Sequence, residues 1–403
     1  MTGFKGARIL IDATMARAGG GFTYLVNVIP RIARQSPDDR FLLLLRSDRI
    51  AASLPELPNL EVRVLPPVGL AGRMWFTAVE GARIASRWKA DLYFSVAESV
   101  PLVSSRPRIA SFRNPNPFRP IDPEYTRGER LRLRTLRLLA QLSARACDRI
   151  LFVSEDSAHW IGDEIGLPEE RRAVVHHGVD RFAWRTSGSH ASMHPRPYIL
   201  SVSSIYRYKN FVRLIEAYAE LVERHLHLDV PDLVIIGDDQ EPAYTRKMEA
   251  ARAATGDLAA HIQIVGEVPY REIAAWYRGA ELSVFPSYLE TFGHPLLEAM
   301  AAEVPLVAAD IPVFREIAGD AAFYADPHRP GELAAAMAAA LLNPAARETL
   351  VKRGRERLRE FSWDATAKRL LSLFENVLAK RATARLRRRA FGSSGEMLGQ
   401  ASA

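Results

Sequence analysis

Two glutamates eight positions apart, Glu290 and Glu298, are the residues of this 403-residue chain whose types and spacing best suggest a reaction site. The short apolar run from Leu282 to Phe285 predicts a buried parallel strand just before them. Glu290 is then expected on the loop after this strand, and Glu298 one turn into the next helix. Open α/β sheets bind ligands at this edge, where carboxylates can accept hydrogen bonds from hydroxyl groups.

The helix that carries Glu298 is predicted to begin at His294 or Pro295, because proline is tolerated where the first helical N–H groups have no intrahelical acceptor. The backbone N–H groups of Phe292, Gly293 and His294 would point out of this helix start and favour a phosphate. A purely structural interpretation stays open. In it, one glutamate lies on a solvated loop and the other caps or solvates the helix.

Positive charge is expected at a neighbouring strand end. A strand, a turn and a helix are predicted from Tyr198, with Arg207 and Lys209 in the turn. A flexible ammonium beside helix-start N–H groups is suited to hold two phosphates. The alternative is a solvated surface lysine. The stretch 232–239 contains another predicted strand, which ends in Gly237 at the same kind of ligand-facing edge.

Two loops of the first half carry further candidates. A glycine cluster that includes Gly20 and Gly21 lies between the first predicted strand and its helix, where it lets the backbone approach a ligand or forms a plain turn. A strand near residue 108 ends in a run that contains Asn114, which can hydrogen-bond a hydroxyl group but cannot act as an acid or base near neutral pH. A proline-rich turn, in which asparagine supplies local backbone hydrogen bonds, is the alternative.

These candidates are positioned by elements that alternate along the whole chain. Strand-sized apolar runs at 7–13, 41–46, 61–66 and 91–96 alternate with helical periodicities, and a second series begins at Tyr198 after the polar stretch 185–197. This alternation predicts an α/β protein of two Rossmann-like, doubly wound domains that face each other across a cleft.

The stretch ETFGHPLLEAMA, with the pattern Glu-x-Phe-Gly-x-Pro-x-x-Glu, closely resembles the donor-site motif of retaining glycosyltransferases of the GT-B fold, the family 4 group. This group, also called glycosyl transferases group 1, includes bacterial polysaccharide mannosyltransferases. The glycine cluster, VVHHGVD and YRYKN resemble family segments in the same order, so the resemblance covers most of the chain.

The resemblance implies roles for residues of the second half. Lys209 would stabilise the departing diphosphate. The family's usual arginine corresponds here to Ser204, so Arg207 is a second candidate for the same role. Glu298 would accept hydrogen bonds from ribose hydroxyls. Glu290 and the backbone of 292–294 would hold sugar hydroxyls and phosphate, and Gly237 would border the donor.

In the first half, the resemblance implies that Gly20 and Gly21 approach the donor from the facing domain. Asn114 stands where many members carry a histidine, so a histidine-based role does not carry over. The implied organisation is an acceptor-side domain at 1–190 and a nucleotide-sugar domain at 191–363. A helix at 364–385 would cross back to the first domain, and the basic tail at 386–403 is expected to be disordered.

A basic helix is predicted from Arg127. Arg127, Arg130, Arg134 and Arg137 recur every three or four positions and share one face, with leucines beside them. Such a face suits an anionic membrane surface, and a merely solvated basic face is the alternative.

Composition limits the class of protein. The chain is 48% hydrophobic and 25% charged, with a net charge of +7 and a single cysteine, Cys147. We therefore expect a two-domain protein without an internal disulfide, in a reducing cytoplasm. No apolar run is long enough to span a bilayer and no secretory signal is evident, so localisation is expected to be cytoplasmic or peripheral at the inner membrane face. The positive charge favours anionic partners.

The expected activity is transfer of a sugar, mannose being one candidate, from a UDP- or GDP-sugar to a hydroxyl of a glycan or lipid-linked acceptor. No permanently bound cofactor and no metal are expected, because side-chain cations can supply the positive charge. One alternative is an enzyme of the same fold that catalyses a different reaction, such as a sugar-nucleotide epimerase or a phosphorylase. The other is a basic membrane- or nucleic-acid-binding scaffold without catalysis. Paired glutamates work against binding a phosphate backbone, so no nucleic-acid partner is expected.

Overall fold

The strands of this computed structural model form two sheets in which every pairing is parallel. The structure describes residues 6–16, 20–118, 125–186, 193–224 and 231–399; for residues 70, 71, 183, 185, 186 and 384–399 it describes the backbone alone. One unit comprises Met1–Val153, Ala158–Val175 and Asp364–Ala403, and the other Ser154–Ser157 and His176–Trp363. The prediction of two α/β domains is confirmed.

The sheet of the first unit has seven strands in the order β3-β2-β1-β4-β5-β6-β7. Its central strands are short and apolar, as expected where helices cover both faces, whereas the edge strand Leu60–Val64 is largely exposed. Leu10, Phe94 and Phe112 are fully buried in its core, and Ile11 lies opposite both Leu43 and Phe94. The strands are β1 (Arg8–Asp12), β2 (Arg40–Leu45), β3 (Leu60–Val64), β4 (Leu92–Ser95), β5 (Arg108–Phe112), β6 (Arg149–Phe152) and β7 (Arg172–Val174).

The sheet of the second unit has six strands in the order β10-β9-β8-β11-β12-β13. Ile199, Leu233 and Leu282 are fully buried at its centre. The strands are β8 (Tyr198–Val202), β9 (Asp232–Ile236), β10 (Ile262–Gly266), β11 (Leu282–Phe285), β12 (Leu306–Ala309) and β13 (Phe323–Ala325).

Helices separate most of the consecutive strands, and their apolar sides close the two cores. In the first helix the predicted positions Leu25, Val28, Ile29 and Ile32 are all fully buried. The helices are α1 (Gly20–Gln35), α2 (Asp48–Ala52), α3 (Leu70–Trp75), α4 (Gly81–Arg87), α5 (Arg127–Ala146), α6 (Glu155–Glu164), α7 (Arg181–Thr186), α8 (Phe211–Arg224), α9 (Pro242–Ala254), α10 (Tyr270–Gly279), α11 (His294–Ala301), α12 (Pro312–Ala318), α13 (Pro330–Leu342), α14 (Pro344–Arg357) and α15 (Trp363–Gly399).

One boundary differs from the sequence-based expectation, and several predicted stretches lie outside the described residues. The helical backbone of α15 continues to Gly399, past the expected end at residue 385. Residues 187–192 of the predicted linker lie outside the described residues, as do Gly19 of the glycine cluster and residues 400–403 of the tail.

Candidate active site

The candidate site of the second unit lies where the strand order of its sheet reverses. Strands β8 and β11 are neighbours, with Leu282 opposite Ile199, and the later strands diverge to either side. The loops that leave these two strands are tied together, because the backbone N–H of Tyr288 donates to the carbonyl of Tyr208 at 3.0 Å. This reversal is the position at which doubly wound sheets bind ligands.

Lys209 and Glu290 meet at this point, although 81 positions separate them in the chain. Lys209 ends a short 3₁₀ turn, Arg207–Lys209, after β8, and its Nζ forms an ion pair with Oε1 of Glu290. The two side chains are only 12% and 10% exposed. The ammonium also lies 5.3 Å from the ring centroids of Tyr208 and Phe285. The site therefore holds a largely desolvated cation that requires an anion beside it.

Asn210 fixes the turn that presents Lys209, a role that the sequence-based interpretation did not assign. Its backbone is left-handed, with φ of 66°, and its side chain is 2% exposed. Its Nδ2 donates to the carbonyls of Pro286 and Pro327 at 3.1 and 2.6 Å, which links three loops. Asparagine tolerates the left-handed region better than most residues. An asparagine directly after Arg207 and Lys209 was therefore the sequence signal for this turn.

The start of α11 presents backbone N–H groups at the same edge. The helix begins at His294, as its proline predicted, and has eight residues. Its N-cap, Gly293, has φ of 92° and no side-chain cap. A Cβ at this position would lie 2.8 Å from Cε1 of Phe314, so both conformation and space require glycine. A helix start of this kind favours an anion.

Glu298 lies one turn into α11 and is strongly desolvated. Burial raises the pKa of its carboxyl from 4.5 to about 7, and the neighbouring Tyr277 hydroxyl partly opposes this rise. Burial also raises the pKa of Tyr277, so this hydroxyl stays protonated. Tyr277 belongs to α10 and was not singled out from the sequence, because nothing in its local pattern indicates that it faces Glu298. The pair can offer both an acceptor and a donor to a ligand hydroxyl.

Local contacts account in part for the presence of an arginine at position 207 and a glycine at position 237. The Nε of Arg207 donates to Glu241 at 2.6 Å and its backbone N–H donates to the same carboxylate at 3.1 Å. A Cβ on Gly237 would lie 1.8 Å from the carbonyl oxygen of Ser203, so packing of the two strand ends alone demands glycine there. The structure thus groups Lys209 with Glu290, and Arg207 with Glu241.

The candidates of the first unit lie at the carboxyl ends of its strands. Asn114 is exposed after β5, and its Oδ1 accepts the backbone N–H of Asn116 at 3.0 Å, a local turn bond. Glu98, which the sequence-based interpretation missed, accepts the N–H groups of Arg113 and Asn114 at 3.1 and 2.9 Å. Burial raises the pKa of Glu98, and these donors oppose the rise.

The two glycines begin α1. Apart from chain neighbours and the backbone of the helix itself, no atom of the described residues lies within 4 Å of a Cβ built on Gly20, and a Cβ on Gly21 would be 3.6 Å from that of Ala16. Packing against the described residues therefore does not by itself demand glycine at these two positions. Among the described residues no group of three or more His, Cys, Asp or Glu side chains is placed to hold a metal ion.

Comparison with solved structures defines the class of this fold. The chain is similar to Anabaena Alr3699/HepE in complex with UDP-glucose, with a TM-score of 0.72 and 18% identity over 92% of this chain and 99% of that one. The two parallel-sheet α/β domains have the GT-B fold.

Family models identify the chain more closely. The model described as Glycosyltransferase Family 4 matches residues 18–181, and the model described as Glycosyl transferases group 1 matches residues 183–357. The chain belongs to this family of glycosyltransferases, and the resemblance seen in its sequence is confirmed.

Two curated relatives are mannosyltransferases by name. The chain is 35% identical to O-antigen chain mannosyltransferase B of Escherichia coli over 26% of its own length and 27% of the relative's. It is 33% identical to phosphatidyl-myo-inositol mannosyltransferase of Mycobacterium leprae (strain TN) over 37% and 39%. The chain thus spans well under half the length of these two relatives.

Proposed function

We propose that this chain is a retaining glycosyltransferase that moves a sugar from a UDP- or GDP-sugar to an acceptor hydroxyl of a glycan or lipid-linked acceptor. Mannose is the first sugar to test, because two relatives are named as mannosyltransferases. UDP is the first nucleotide to test, because the HepE neighbour is a complex with UDP-glucose. The observation that carries the proposal is that Lys209, Glu290 and the start of α11 lie together where the strand order of the sheet reverses.

The chemistry rests on stabilising the leaving group. The bond between the anomeric carbon and the diphosphate oxygen breaks, and the acceptor oxygen bonds to the same face of that carbon. The acceptor proton leaves with the diphosphate. Lys209 pairs with the departing charge, which frees Glu290 to accept hydrogen bonds from sugar hydroxyls. Such a partly dry site strengthens each of these interactions.

The remaining candidates support this reaction. Glu298 accepts hydrogen bonds from the ribose hydroxyls, and the N–H groups of 292–294 bind phosphate. Arg207 keeps its Nε and backbone N–H on Glu241 and adds positive charge beside Lys209, which has the main cationic role. Asn114 orients one hydroxyl of the acceptor or donor sugar. Residues 191–363 bind the nucleotide sugar and residues 1–190 the acceptor. Lys209 supplies the positive charge, so the reaction requires no added metal.

A thermal-shift panel tests the donor class. UDP, GDP, ADP and their sugars are each added to the full chain, and the unfolding midpoint is recorded. A nucleotide present at ~100 times its dissociation constant should stabilise the fold by about 2.7 kcal/mol. We expect UDP or GDP to raise the midpoint and ADP to do so less. A panel in which no nucleotide raises the midpoint contradicts the proposal.

The acceptor side has a surface suited to an anionic membrane, the exposed face of α5. This helix contains six arginines and one glutamate, and Glu129 is engaged in a capping box with Thr126. On the side opposite the buried Leu133 and Ala140, Leu131 and Leu138 are 66% and 55% exposed. Exposed arginines flank these leucines at positions 127, 134 and 145.

The structure changes which arginines form this face. Arg137, expected to share it, pairs instead with Glu164 on α6. Arg145, which the sequence pattern did not include, is exposed about two helical turns beyond Leu138. Leucines inserted between snorkelling arginines are the arrangement by which helices lie on anionic bilayers. No helix in the described ranges is long and apolar enough to cross a bilayer.

Vesicle sedimentation tests this surface. Phosphatidylcholine vesicles that contain phosphatidylglycerol should capture the protein at low salt and release it at high salt, because exposed charges are screened. Changing Arg127, Arg134 and Arg145 to glutamine should weaken capture by up to about 100-fold, at roughly 1 kcal/mol per charge. The matched control changes three exposed arginines of the second unit, Arg246, Arg271 and Arg359. Equal loss in both triple variants would show that net charge alone, and not α5, is responsible.

A further inference from the structure

A buried histidine outside α11 contacts the first residue of that helix. His177 is 5% exposed, and its Nδ1 lies 2.7 Å from Nε2 of His294. The two rings are stacked, with centroids 4.8 Å apart. Trp363 lies 5.8 Å from each ring, and Phe292 lies 5.0 and 5.3 Å from them. The ring of His294 is therefore held on two sides by aromatic groups and at one atom by a hydrogen bond.

The backbone that carries His177 is itself fixed. A Cβ on Gly178 would lie 2.2 Å from the backbone nitrogen of Trp363, so only glycine allows this approach. The preceding His176 pairs with Glu316 at 2.7 Å. These contacts leave His177 little freedom to move away from His294.

The loop that precedes α11 is held at a second point, besides the contact of His177 with His294. The Oγ of Ser154 donates to the carbonyl of Thr291 at 2.7 Å. Thr291 and His294 bracket the peptide units whose N–H groups are proposed above to bind phosphate. Because a helix start binds an anion only when its N–H groups converge on it, restraint of this segment bears directly on phosphate affinity.

We propose that His177 is a positioning residue for the donor diphosphate, because its hydrogen bond to His294 orients the N–H groups at the start of α11 toward the phosphates. The inference rests on the proposed function, since it takes the diphosphate of a nucleotide sugar as the ligand of that helix start. His177 acts through His294 and not by contact with the donor.

Two substitutions separate the hydrogen bond from the packing. His177→Phe keeps a flat ring against Trp363 and removes the hydrogen bond to His294. His177→Asn places an amide nitrogen or oxygen where Nδ1 stood, so the hydrogen bond can re-form. Titration calorimetry with UDP and with GDP should give a dissociation constant about five- to tenfold higher for the Phe variant, as loss of one hydrogen bond predicts. The Asn variant should stay within about threefold of the wild type.

His159→Asn is the control, since the side chain of His159 is 78% exposed on α6. A purely structural role for His177 would lower the unfolding temperature of the Phe variant without changing its affinity for UDP or GDP, and that result overturns the inference. If the wild type binds neither nucleotide, the proposed function fails and the inference fails with it. Wild-type binding with equal affinity in a folded Phe variant overturns the inference alone.

A second measurement covers the case in which His177→Phe does not fold. The ring C–H resonances of His294, assigned by comparison with His294→Gln, are followed in the wild type while UDP or GDP is added. They should shift on binding, because the ring belongs to the first residue of the helix start that is proposed to bind the phosphates. Resonances that do not move while the nucleotide binds overturn the inference.

Discussion

Replacing Lys209 by alanine is expected to lower turnover of the cognate nucleotide sugar by ~10²–10³-fold, which is the usual loss when one preorganised group that stabilises transition-state charge is removed. The reason is the position of this side chain, which is 12% exposed and whose ammonium pairs with Glu290 at the strand reversal. Negative charge on the diphosphate grows as the bond between the anomeric carbon and the diphosphate oxygen breaks. The substitution should therefore lower turnover more than it weakens binding of the sugar and base. The measurement is the initial rate of nucleotide release at saturating donor.

Lys352→Ala is the matched control, because Lys352 is an exposed lysine on α14. It removes the same charge from the same unit and should leave the rate unchanged. If Lys209→Ala also retains the wild-type rate, the lysine belongs to the structural pair with Glu290 and not to the reaction.

Replacing Glu298 by glutamine is expected to change the pH dependence of stability. The pKa of Glu298 is about 7 in the folded chain against an ordinary 4.5. A raised carboxyl pKa means that the folded chain keeps a proton that the unfolded chain loses. Its contribution to stability is therefore full below pH 4.5 and is lost as pH rises to about 7, roughly 3 kcal/mol in all.

Glutamine does not titrate, so the two proteins should unfold alike near pH 4.5, and Glu298→Gln should be the more stable at pH 8. Urea unfolding at both pH values measures this difference. Glu348→Gln, a change at an exposed glutamate of α14, is the control and should follow the wild type. Parallel pH curves for wild type and Glu298→Gln would contradict the desolvation of this carboxyl.

The same substitution should weaken nucleotide binding at pH 8, where the wild-type carboxylate is ionised. Loss of a charged acceptor for the ribose hydroxyls costs about 1.5–3 kcal/mol, or roughly 10- to 150-fold in affinity. In the wild type, affinity for UDP or GDP should rise as pH increases through about 7, the pKa of Glu298, and in the variant it should stay flat. Calorimetry that finds equal affinities at pH 8 removes Glu298 from the ribose site.

Much of the fold was determined by local sequence pattern. Apolar runs such as Leu282–Phe285 placed the strands, and the proline at 295 placed the start of α11 at His294. These features depend on the periodicity and backbone chemistry of a few neighbouring residues, so the local sequence is enough to predict them. Alternation of the two element types then implied two parallel sheets, and both are present.

The partners of each functional side chain were decided only by tertiary structure. Lys209 meets Glu290 across 81 positions because β8 and β11 pair in the sheet, and no local pattern encodes that pairing. Arg207, equivalent to Lys209 by spacing and charge, is held instead by Glu241, and Arg137 leaves its predicted face for Glu164. The raised pKa of Glu298 and the contact of His177 with His294 likewise depend on burial, which arises only when distant segments pack together.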